Sequence, residues 1–289
     1  MRTWIDTHLH LLYPQRLQYD WTQSIPALNQ SFSIEQYQPL ARSLGITQAL
    51  HMEVDVLPEQ INEETQLIGE LKQQPNSILV GAISSCRPEH KNIEPFIEAA
   101  LNNPLVHGFR RVLHVVHDDV STTDVFQSNV RALTQQGHPF DLCVLPAQLH
   151  LADALAQACP KTQFVLDHCG VPAVASKVME PWKTQIAQLA RQPNVACKVS
   201  GLIAYGDPSR WPEGDVQVIA QDLRPYVEHV IDCFGWDRVV WGRDFPVCNL
   251  TKDLTTWKAV TDRLLQGCSE AEWDALAFVN ARRIYRIPA

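Results

Sequence analysis

One pattern runs through the whole chain: short segments rich in apolar and β-branched residues alternate with amphipathic stretches. Eight such segments are present, at residues 4–10, 46–54, 78–85, 106–114, 140–145, 163–168, 195–201 and 238–244. Their apolar density is typical of strands that helices cover on both faces. The alternation therefore predicts eight βα units built around a parallel sheet.

The stretches between the predicted strands carry the chemistry of helix starts. Ser33 with Gln36, and Ser269 with Glu272, have the spacing of capping boxes. Asp124 is placed to cap the helix that follows it. We expect a helix after each of these residues, with the helix after Ser269 the most clearly marked.

The chain has 289 residues and contains no low-complexity tract, charge block or flexible linker. We therefore expect a single domain over residues 1–289. Eight βα units in this length predict a closed (β/α)8 TIM barrel, and a doubly wound open sheet is the alternative. No glycine-rich phosphate loop follows any predicted strand, which counts against a nucleotide-binding open sheet.

Composition narrows the classes of partner. The formal net charge is −8, from 24 Lys and Arg against 32 Asp and Glu, which argues against a nucleic-acid surface. There is no long apolar run and no signal-like start, so we expect no membrane partner and a cytoplasmic protein. None of the eight cysteines lies in a Cys-x-x-Cys motif, and we expect free thiols.

Chemistry-bearing residues close three of the predicted strands. His8 and His10 end the first strand, His168 ends the sixth and Asp244 ends the eighth. In a barrel the carboxyl ends of all strands lie on one rim, where catalytic groups gather. The sequence therefore predicts that these four side chains meet at one site.

Several stretches spread along the chain resemble the lactonase branch of the amidohydrolase superfamily, a group of TIM-barrel hydrolases that includes sugar-acid lactonases and pyrone-dicarboxylate lactonases. The matching stretches are Ile5-Asp6-Thr7-His8-Leu9-His10, Gly108-Phe109-Arg110-Arg111, Val165-Leu166-Asp167-His168-Cys169-Gly170, Cys197-Lys198-Val199-Ser200-Gly201-Leu202 and Trp241-Gly242-Arg243-Asp244-Phe245-Pro246-Val247. Residues 280–285 also resemble the terminal helix of that branch.

The resemblance implies a TIM barrel and a hydrolase that opens a small-molecule lactone, a sugar-acid lactone being the expected class. It makes His8 and His10 the histidine pair of the first strand, His168 the histidine of the sixth and Asp244 the aspartate of the eighth. The chain departs from the branch at Arg243, where serine is usual. It also lacks a strand-five histidine and a strand-four lysine, so a two-metal site is not expected, and a metal is not always required in this branch.

The residues themselves are consistent with lactone hydrolysis. Asp244 can take a proton from water and return it to the leaving alkoxide as general base and acid, and His168 is the second catalytic candidate. His8, His10 and Asp244 are candidate ligands of one divalent ion, and zinc is the ion expected for imidazole ligands. Such an ion would acidify water and polarise the carbonyl.

Five further residues are candidates for contact with substrate. Arg110 lies on strand four, where its guanidinium could clamp a carbonyl or carboxylate. Lys198 lies on strand seven, and an ion pair inside the barrel is its alternative role. Glu53 follows strand two, and Tyr13 and Trp21 belong to the long loop after strand one, which we expect to form part of the pocket wall.

Alternatives remain open from the sequence. A metal-dependent decarboxylase or another lyase of the same superfamily would use the same rim residues. A non-catalytic binding barrel is the third possibility. The sequence does not decide the oligomeric state or which lactone is cleaved.

Overall fold

The structure, a computed structural model, describes residues 2–211 and 215–288. Eight parallel strands follow one another around a barrel in chain order. They are β1 (Trp4–Leu9), β2 (Ile46–Met52), β3 (Leu79–Ser85), β4 (Val106–Val112), β5 (Phe140–Cys143), β6 (Phe164–Leu166), β7 (Val195–Val199) and β8 (Val239–Trp241). The barrel closes between β8 and β1, where Leu9 pairs in parallel with Phe245 and the amide of Asp244 donates to the carbonyl of His8 at 2.9 Å. The predicted (β/α)8 barrel is confirmed, and the open sheet is not formed.

Helices separate the strands and form the outer layer. The α-helices are α1 (Ile34–Ser43), α2 (Ile61–Lys72), α3 (Glu94–Leu101), α4 (Asp124–Leu133), α5 (Leu149–Ala158), α6 (Trp182–Leu189), α7 (Val216–Phe234), α8 (Leu254–Leu264), α9 (Glu270–Asp274) and α10 (Asn280–Tyr285). A π-helical turn, Ala275–Val279, joins the last two. Among the described residues, no helix combines the length and the apolar character needed to cross a lipid bilayer.

The predicted helix starts are confirmed in two cases and shifted by one residue in the third. Glu272 accepts from the Ser269 amide at 2.7 Å, and Gln36 accepts from the Ser33 amide at 2.8 Å. The cap of α4 is Thr123 rather than Asp124, since the Thr123 hydroxyl accepts from the third amide of the helix. Asp124 is instead the first helical residue, where an acidic side chain is favoured by the helix dipole.

Most strands end earlier than the sequence pattern indicates. β6 stops at Leu166 and β8 at Trp241, so His168 and Asp244 lie in the turns that follow. His168 has φ of 53° and Asp244 has φ of 60°. A left-handed residue cannot continue an extended ladder, and apolar periodicity does not report such conformations.

The barrel interior has two layers. At the amino-terminal end, apolar side chains including Ile5, Leu50 and Val165 pack against Ile284 and Tyr285 of α10, which closes that end of the barrel. Towards the carboxyl ends of the strands, the interior becomes charged, with Asp141, Lys198 and Glu53 all fully buried. The fold therefore leaves the rim of strand ends as the place where polar groups meet solvent. All eight cysteines are free thiols, as expected.

Candidate active site

Three imidazoles surround one carboxylate at the rim of the barrel. The Oδ1 atom of Asp244 lies 3.8 Å from His8 Nε2, 3.6 Å from His10 Nε2 and 3.9 Å from His168 Nε2. All four side chains are buried, and Asp244 is 1% exposed. The structure thus brings together the four residues that the sequence placed on one rim.

Local backbone geometry makes this convergence possible. Gly201, with φ of 67°, passes directly beside the cluster. A Cβ atom at this position would lie 2.5 Å from His168 Nδ1 and 3.1 Å from Asp244 Oδ2. Because real contacts are not that short, any residue larger than glycine would displace the imidazole.

Each imidazole is oriented through its second nitrogen. His10 Nδ1 lies 3.0 Å from the carbonyl of Met52, His168 Nδ1 lies 2.9 Å from Ser200 Oγ, and His8 Nδ1 lies 3.3 Å from Asp167 Oδ1. Partners of this kind fix the tautomer and direct each Nε2 towards Asp244. The register of β1 is also irregular between Asp6 and Leu9, the segment that carries His8.

Asp6 holds the two segments that carry His8 and Asp244. Its Oδ1 atom accepts from the amide of His8 at 3.0 Å and from the amide of Arg243 at 2.9 Å, and Tyr37 donates to Oδ2 at 2.6 Å. The fully buried guanidinium of Arg243 donates to the carbonyl of Leu254, outside the barrel. Arg243 therefore brings no positive charge to the cavity.

A layer of alternating charges lies beneath and beside the histidines. Arg110 donates to Glu53 at 2.6 Å and to Asp167 at 3.3 Å. Lys198 lies 2.9 Å from the same Asp167 and 2.6 Å from Asp141. Every cation in this layer is therefore shared between two carboxyl groups, as buried charges require.

The charged layer extends to the end of the chain. Tyr285, on α10, donates to Asp141 at 2.8 Å, and burial raises the pKa of that carboxyl to about 7. Lys198 also lies 3.2 Å from His8 Nδ1 and Arg110 lies 3.3 Å from His8 Nε2. Burial, together with the charge of Lys198, holds the pKa of His8 well below its usual value against the attraction of Asp167, so the imidazole is neutral.

Burial sets the ionisation of the rim cluster as well. It raises the pKa of Asp244 to about 6, against the attraction of His168 and Arg110. Burial lowers the pKa of His10 to about 3 and also lowers that of His168. At neutral pH the cluster is therefore an ionised carboxylate among neutral imidazoles. A carboxylate with a pKa of about 6 is ionised at neutral pH yet more basic than an ordinary aspartate.

A cavity of about 290 Å³ opens above the cluster. Its lining includes Asp244, His10 and His168, together with Arg110 and Trp21. The indole of Trp21 donates to the carbonyl of Val54 at 2.9 Å, which fixes the long loop after β1 against the rim. The expectation that this loop contributes to the pocket wall thus agrees with the position of Trp21.

The other three candidates for substrate contact lie outside the cavity lining. Tyr13 accepts from the amide of Ile34 at 3.0 Å and supports the loop from below. Glu53 and Lys198 are fully buried in the charged layer. A direct contact of these residues with substrate stays a prediction, whereas the structure gives each of them a protein partner.

Sequence reasoning did not single out Asp167. Alternation along β6 would place Asp167 and His168 on opposite faces, but the left-handed conformation of His168 brings both to the site. The position of Asp167 directly before His168 in the motif at residues 165–170 was the signal in the sequence that could have identified it. His114, which shares the facing parity of Arg110, does line the cavity, as do Asp55 and Tyr205.

The donor set fits a single divalent ion. His8, His10 and Asp244 each offer a ligand atom, all within 4.8 Å of one another, and His8, Asp167 and His168 form a second such group. Ligands of a tetrahedral zinc lie about 3.3 Å apart, given bonds of about 2.0–2.1 Å. In addition, Asp244 Oδ2 is buried without a hydrogen-bond partner. The positive charges of Arg110 and Lys198 beside His8 repel a metal cation at this site, so we expect modest affinity for the metal.

Comparison with known proteins agrees with this geometry. The family model described as Amidohydrolase matches residues 5–287. The chain belongs to the amidohydrolase family. The prediction of a hydrolase of this superfamily is thereby confirmed. Among named relatives, an L-fucono-1,5-lactonase of Burkholderia ambifaria is 28% identical over 98% of this chain and 95% of its own length. An L-fucono-1,5-lactonase of Burkholderia multivorans is 30% identical over 63% of this chain and 64% of its own length.

Solved structures show that this amidohydrolase shares its fold with others. An amidohydrolase from Burkholderia multivorans, crystallised with bound zinc, superposes with a TM-score of 0.88 at 23% identity, over 99% of this chain and all of the other. A putative 2-pyrone-4,6-dicarboxylic acid hydrolase from Pseudomonas putida gives a TM-score of 0.74 at 20% identity, over 99% and 98% of the two chains.

Proposed function

We propose that this amidohydrolase opens a lactone ring by attack of water, with a sugar-acid lactone as the first class to test. The observation that carries the proposal is Asp244, a buried carboxylate at the floor of a cavity with a pKa of about 6. A carboxylate of this kind is suited to take a proton from water near neutral pH. The two relatives named L-fucono-1,5-lactonase support the substrate class.

The reaction requires one base that later acts as an acid. Asp244 removes a proton from water as the water oxygen bonds to the lactone carbonyl carbon. The ring carbon–oxygen bond then breaks, and the protonated Asp244 returns the proton to the leaving alkoxide. The product is the open hydroxy acid, and Asp244 returns to its ionised form.

Neighbouring groups are placed to bind the carbonyl. Arg110 lines the cavity while Glu53 and Asp167 fix its guanidinium, so the arginine is preorganised before substrate arrives. Neutral His168 lies on the other side of Asp244, steadied by Ser200. In our proposal Arg110 and His168 stabilise the negative charge that develops on the carbonyl oxygen.

The proposed cofactor is one divalent ion, with zinc as the expected species, held by His8, His10 and Asp244. When bound, it would lower the pKa of water and polarise the carbonyl. The base, the guanidinium and the cavity are supplied by the chain itself. We therefore propose that activity persists, at a reduced rate, in chelated protein.

A decarboxylase is the competing reaction. A 2,6-dihydroxybenzoate decarboxylase from Rhizobium shares the fold with a TM-score of 0.62 at 12% identity. A carboxylate substrate needs a cation to receive it. Within residues 2–211 and 215–288, Arg110 is the only lysine or arginine that lines the cavity, and two carboxylates already share it. Lactone hydrolysis, with a neutral substrate, is favoured for this reason over decarboxylation.

A rate screen tests the proposal. Purified protein is incubated with a panel of aldono-lactones, with and without a chelator, and acid release is followed with a pH indicator. Carbon dioxide evolution from aromatic carboxylates is measured in parallel. We expect enzyme-dependent acid release from at least one lactone. Carbon dioxide release without any lactone opening would overturn the proposal. A cytoplasmic location and the lack of a nucleic-acid partner stay predictions.

A further inference from the structure

The cavity has a polar floor and an apolar wall. Asp244, His10, His168 and Arg110 form the floor. The wall is built from valines that follow or end five different strands: Val54, Val112, Val144, Val171 and Val247. A lactone ring presented to Asp244 would therefore contact branched aliphatic groups along this wall.

The apolar wall continues outward to the cavity mouth. Val115 and Leu145 line the cavity and are 58% and 42% exposed. Single exposed aliphatic residues are ordinary on protein surfaces. Here, however, Val115 and Leu145 continue the apolar wall that begins above the polar floor. A substituent that leaves the ring towards solvent would therefore contact them.

In the part of the chain that the structure describes, the polar side chains of the wall are few, namely Asp55, His114, Trp21 and Tyr205, and the first three already have protein partners. Asp55 accepts from Arg87 at 3.1 Å, and His114 Nδ1 lies 3.5 Å from Cys143 Sγ. The indole nitrogen of Trp21 already donates to the carbonyl of Val54. A hydroxyl group buried against the valines would lose its hydrogen bonds to water without replacement, and that loss lowers affinity.

We propose that the substrate is a lactone with an apolar, alkyl-like substituent on its ring, which runs along the valine wall and past Val115 and Leu145 to solvent. This inference rests on the proposed lactone hydrolysis and narrows its substrate class. Fully hydroxylated sugar lactones are poorer substrates on this view, because their exocyclic hydroxyl meets the same wall. Removal of that hydroxyl, or its replacement by alkyl carbon, improves the fit.

The first experiment measures kcat/KM on two substrate series. One series lengthens the alkyl chain from γ-butyrolactone through γ-valerolactone and γ-hexalactone to γ-octalactone. The other compares L-galactono-γ-lactone with L-fucono-γ-lactone, which lacks one exocyclic hydroxyl. We expect kcat/KM to rise about threefold to fourfold per added methylene, until the chain passes the mouth. We also expect the deoxy sugar lactone to be preferred.

Two valines provide a matched pair of variants. Val115→Thr keeps the shape of the side chain and adds a hydroxyl at the mouth, and we expect it to flatten the dependence on chain length. Val178 is 53% exposed, lies in the loop after β6 and is not part of the cavity lining. Val178→Thr should leave the dependence unchanged.

The outcomes separate this inference from the function on which it rests. Opening of hydroxylated lactones with no gain from alkyl substituents would overturn the inference and leave lactone hydrolysis standing. Equal effects of Val115→Thr and Val178→Thr would also overturn it. Failure to open any lactone of either series would remove the proposed function, and the inference with it.

Discussion

Replacement of Asp244 by asparagine is the sharpest test of the site. The amide keeps the size of the side chain but cannot take a proton from water near neutral pH. We expect kcat to fall by about 10²- to 10⁴-fold, the usual effect of losing a general base. In the wild-type protein, kcat should rise with pH through about 6, where Asp244 ionises, and then level off. The residual activity of Asp244→Asn should lack this rise.

The same substitution should stabilise the fold, in a pH-dependent way. The pKa of Asp244 is about 6 in the folded protein, against an ordinary pKa of 3.8 for an aspartate side chain. The difference of about 2 pH units corresponds to about 3 kcal/mol. Because the folded-state pKa is raised, ionisation disfavours the fold. This destabilisation is absent below the pKa that Asp244 has in the unfolded protein. It grows between pH 4 and pH 6 and reaches its full size above the pKa that Asp244 has in the folded protein.

Asparagine at position 244 removes that destabilisation. Urea unfolding of chelated protein at pH 8 should therefore show Asp244→Asn to be more stable than wild type by up to about 3 kcal/mol. At pH 4 the two proteins should be nearly equal. Asp55→Asn is the matched control, since Asp55 lines the same cavity but lies outside the histidine cluster. It should change kcat by less than about tenfold.

Two results would refute this reasoning. A well-folded Asp244→Asn protein with near-wild-type kcat would remove Asp244 from the mechanism. A variant that is less stable than wild type at pH 8, with normal kcat, would instead make Asp244 a structural partner of the histidines. Measurement of kcat and unfolding free energy on the same preparation distinguishes these cases.

Three further predictions concern the surroundings of Asp244. Arg110→Met leaves buried Glu53 without a cationic partner and Asp167 with Lys198 alone, so kcat/KM should fall and urea unfolding should show a loss of about 3–5 kcal/mol. Unchanged kinetics would place Arg110 outside the reaction. Gly201→Ala should displace His168 and lower kcat. Gly235→Ala is the control: Gly235 also has a positive φ, but nothing lies within 4 Å of the added methyl group, so only stability should fall. Equal kcat values in the two variants would contradict this prediction. Dialysis against a strong chelator should leave measurable activity, since the chain itself supplies the proposed base and the guanidinium. A complete loss that zinc restores would show the ion to be indispensable.

The barrel and its rim were predictable because they depend on local and repetitive features. Apolar periodicity marks each strand without reference to the rest of the chain, and capping residues such as Ser269 act within one helical turn. Parallel strands then bring their carboxyl ends to one rim by geometry alone. His8, His10, His168 and Asp244 could therefore be grouped from their strand-end positions.

The charged layer could not be predicted from the sequence in the same way. The bonds of Arg110 to Glu53 and Asp167 join residues 57 positions apart, and they depend on strand register and on side-chain direction. The left-handed backbone at His168 reverses the expected alternation and brings Asp167 into the site. Arg243 illustrates the same limit, since only the packing around Leu254 decides that it faces away from the cavity.

Asp244 differs from the carboxylates of that layer because it combines two features: it lines the cavity, and no cation of the described residues bonds to it. Asp141 also has a raised pKa, of about 7, but it is bound by Lys198 and lies outside the cavity lining. Arg110 and Lys198 are each shared between two carboxylates of the layer, so neither forms a direct ion pair with Asp244. Had either cation bonded to Asp244, the pKa of that carboxyl would fall and its basicity with it. Burial without a cationic partner instead raises the pKa of Asp244 to about 6. In the proposed mechanism, the pairing of the buried charges with one another leaves Asp244 without a cationic partner, so it can act as the base.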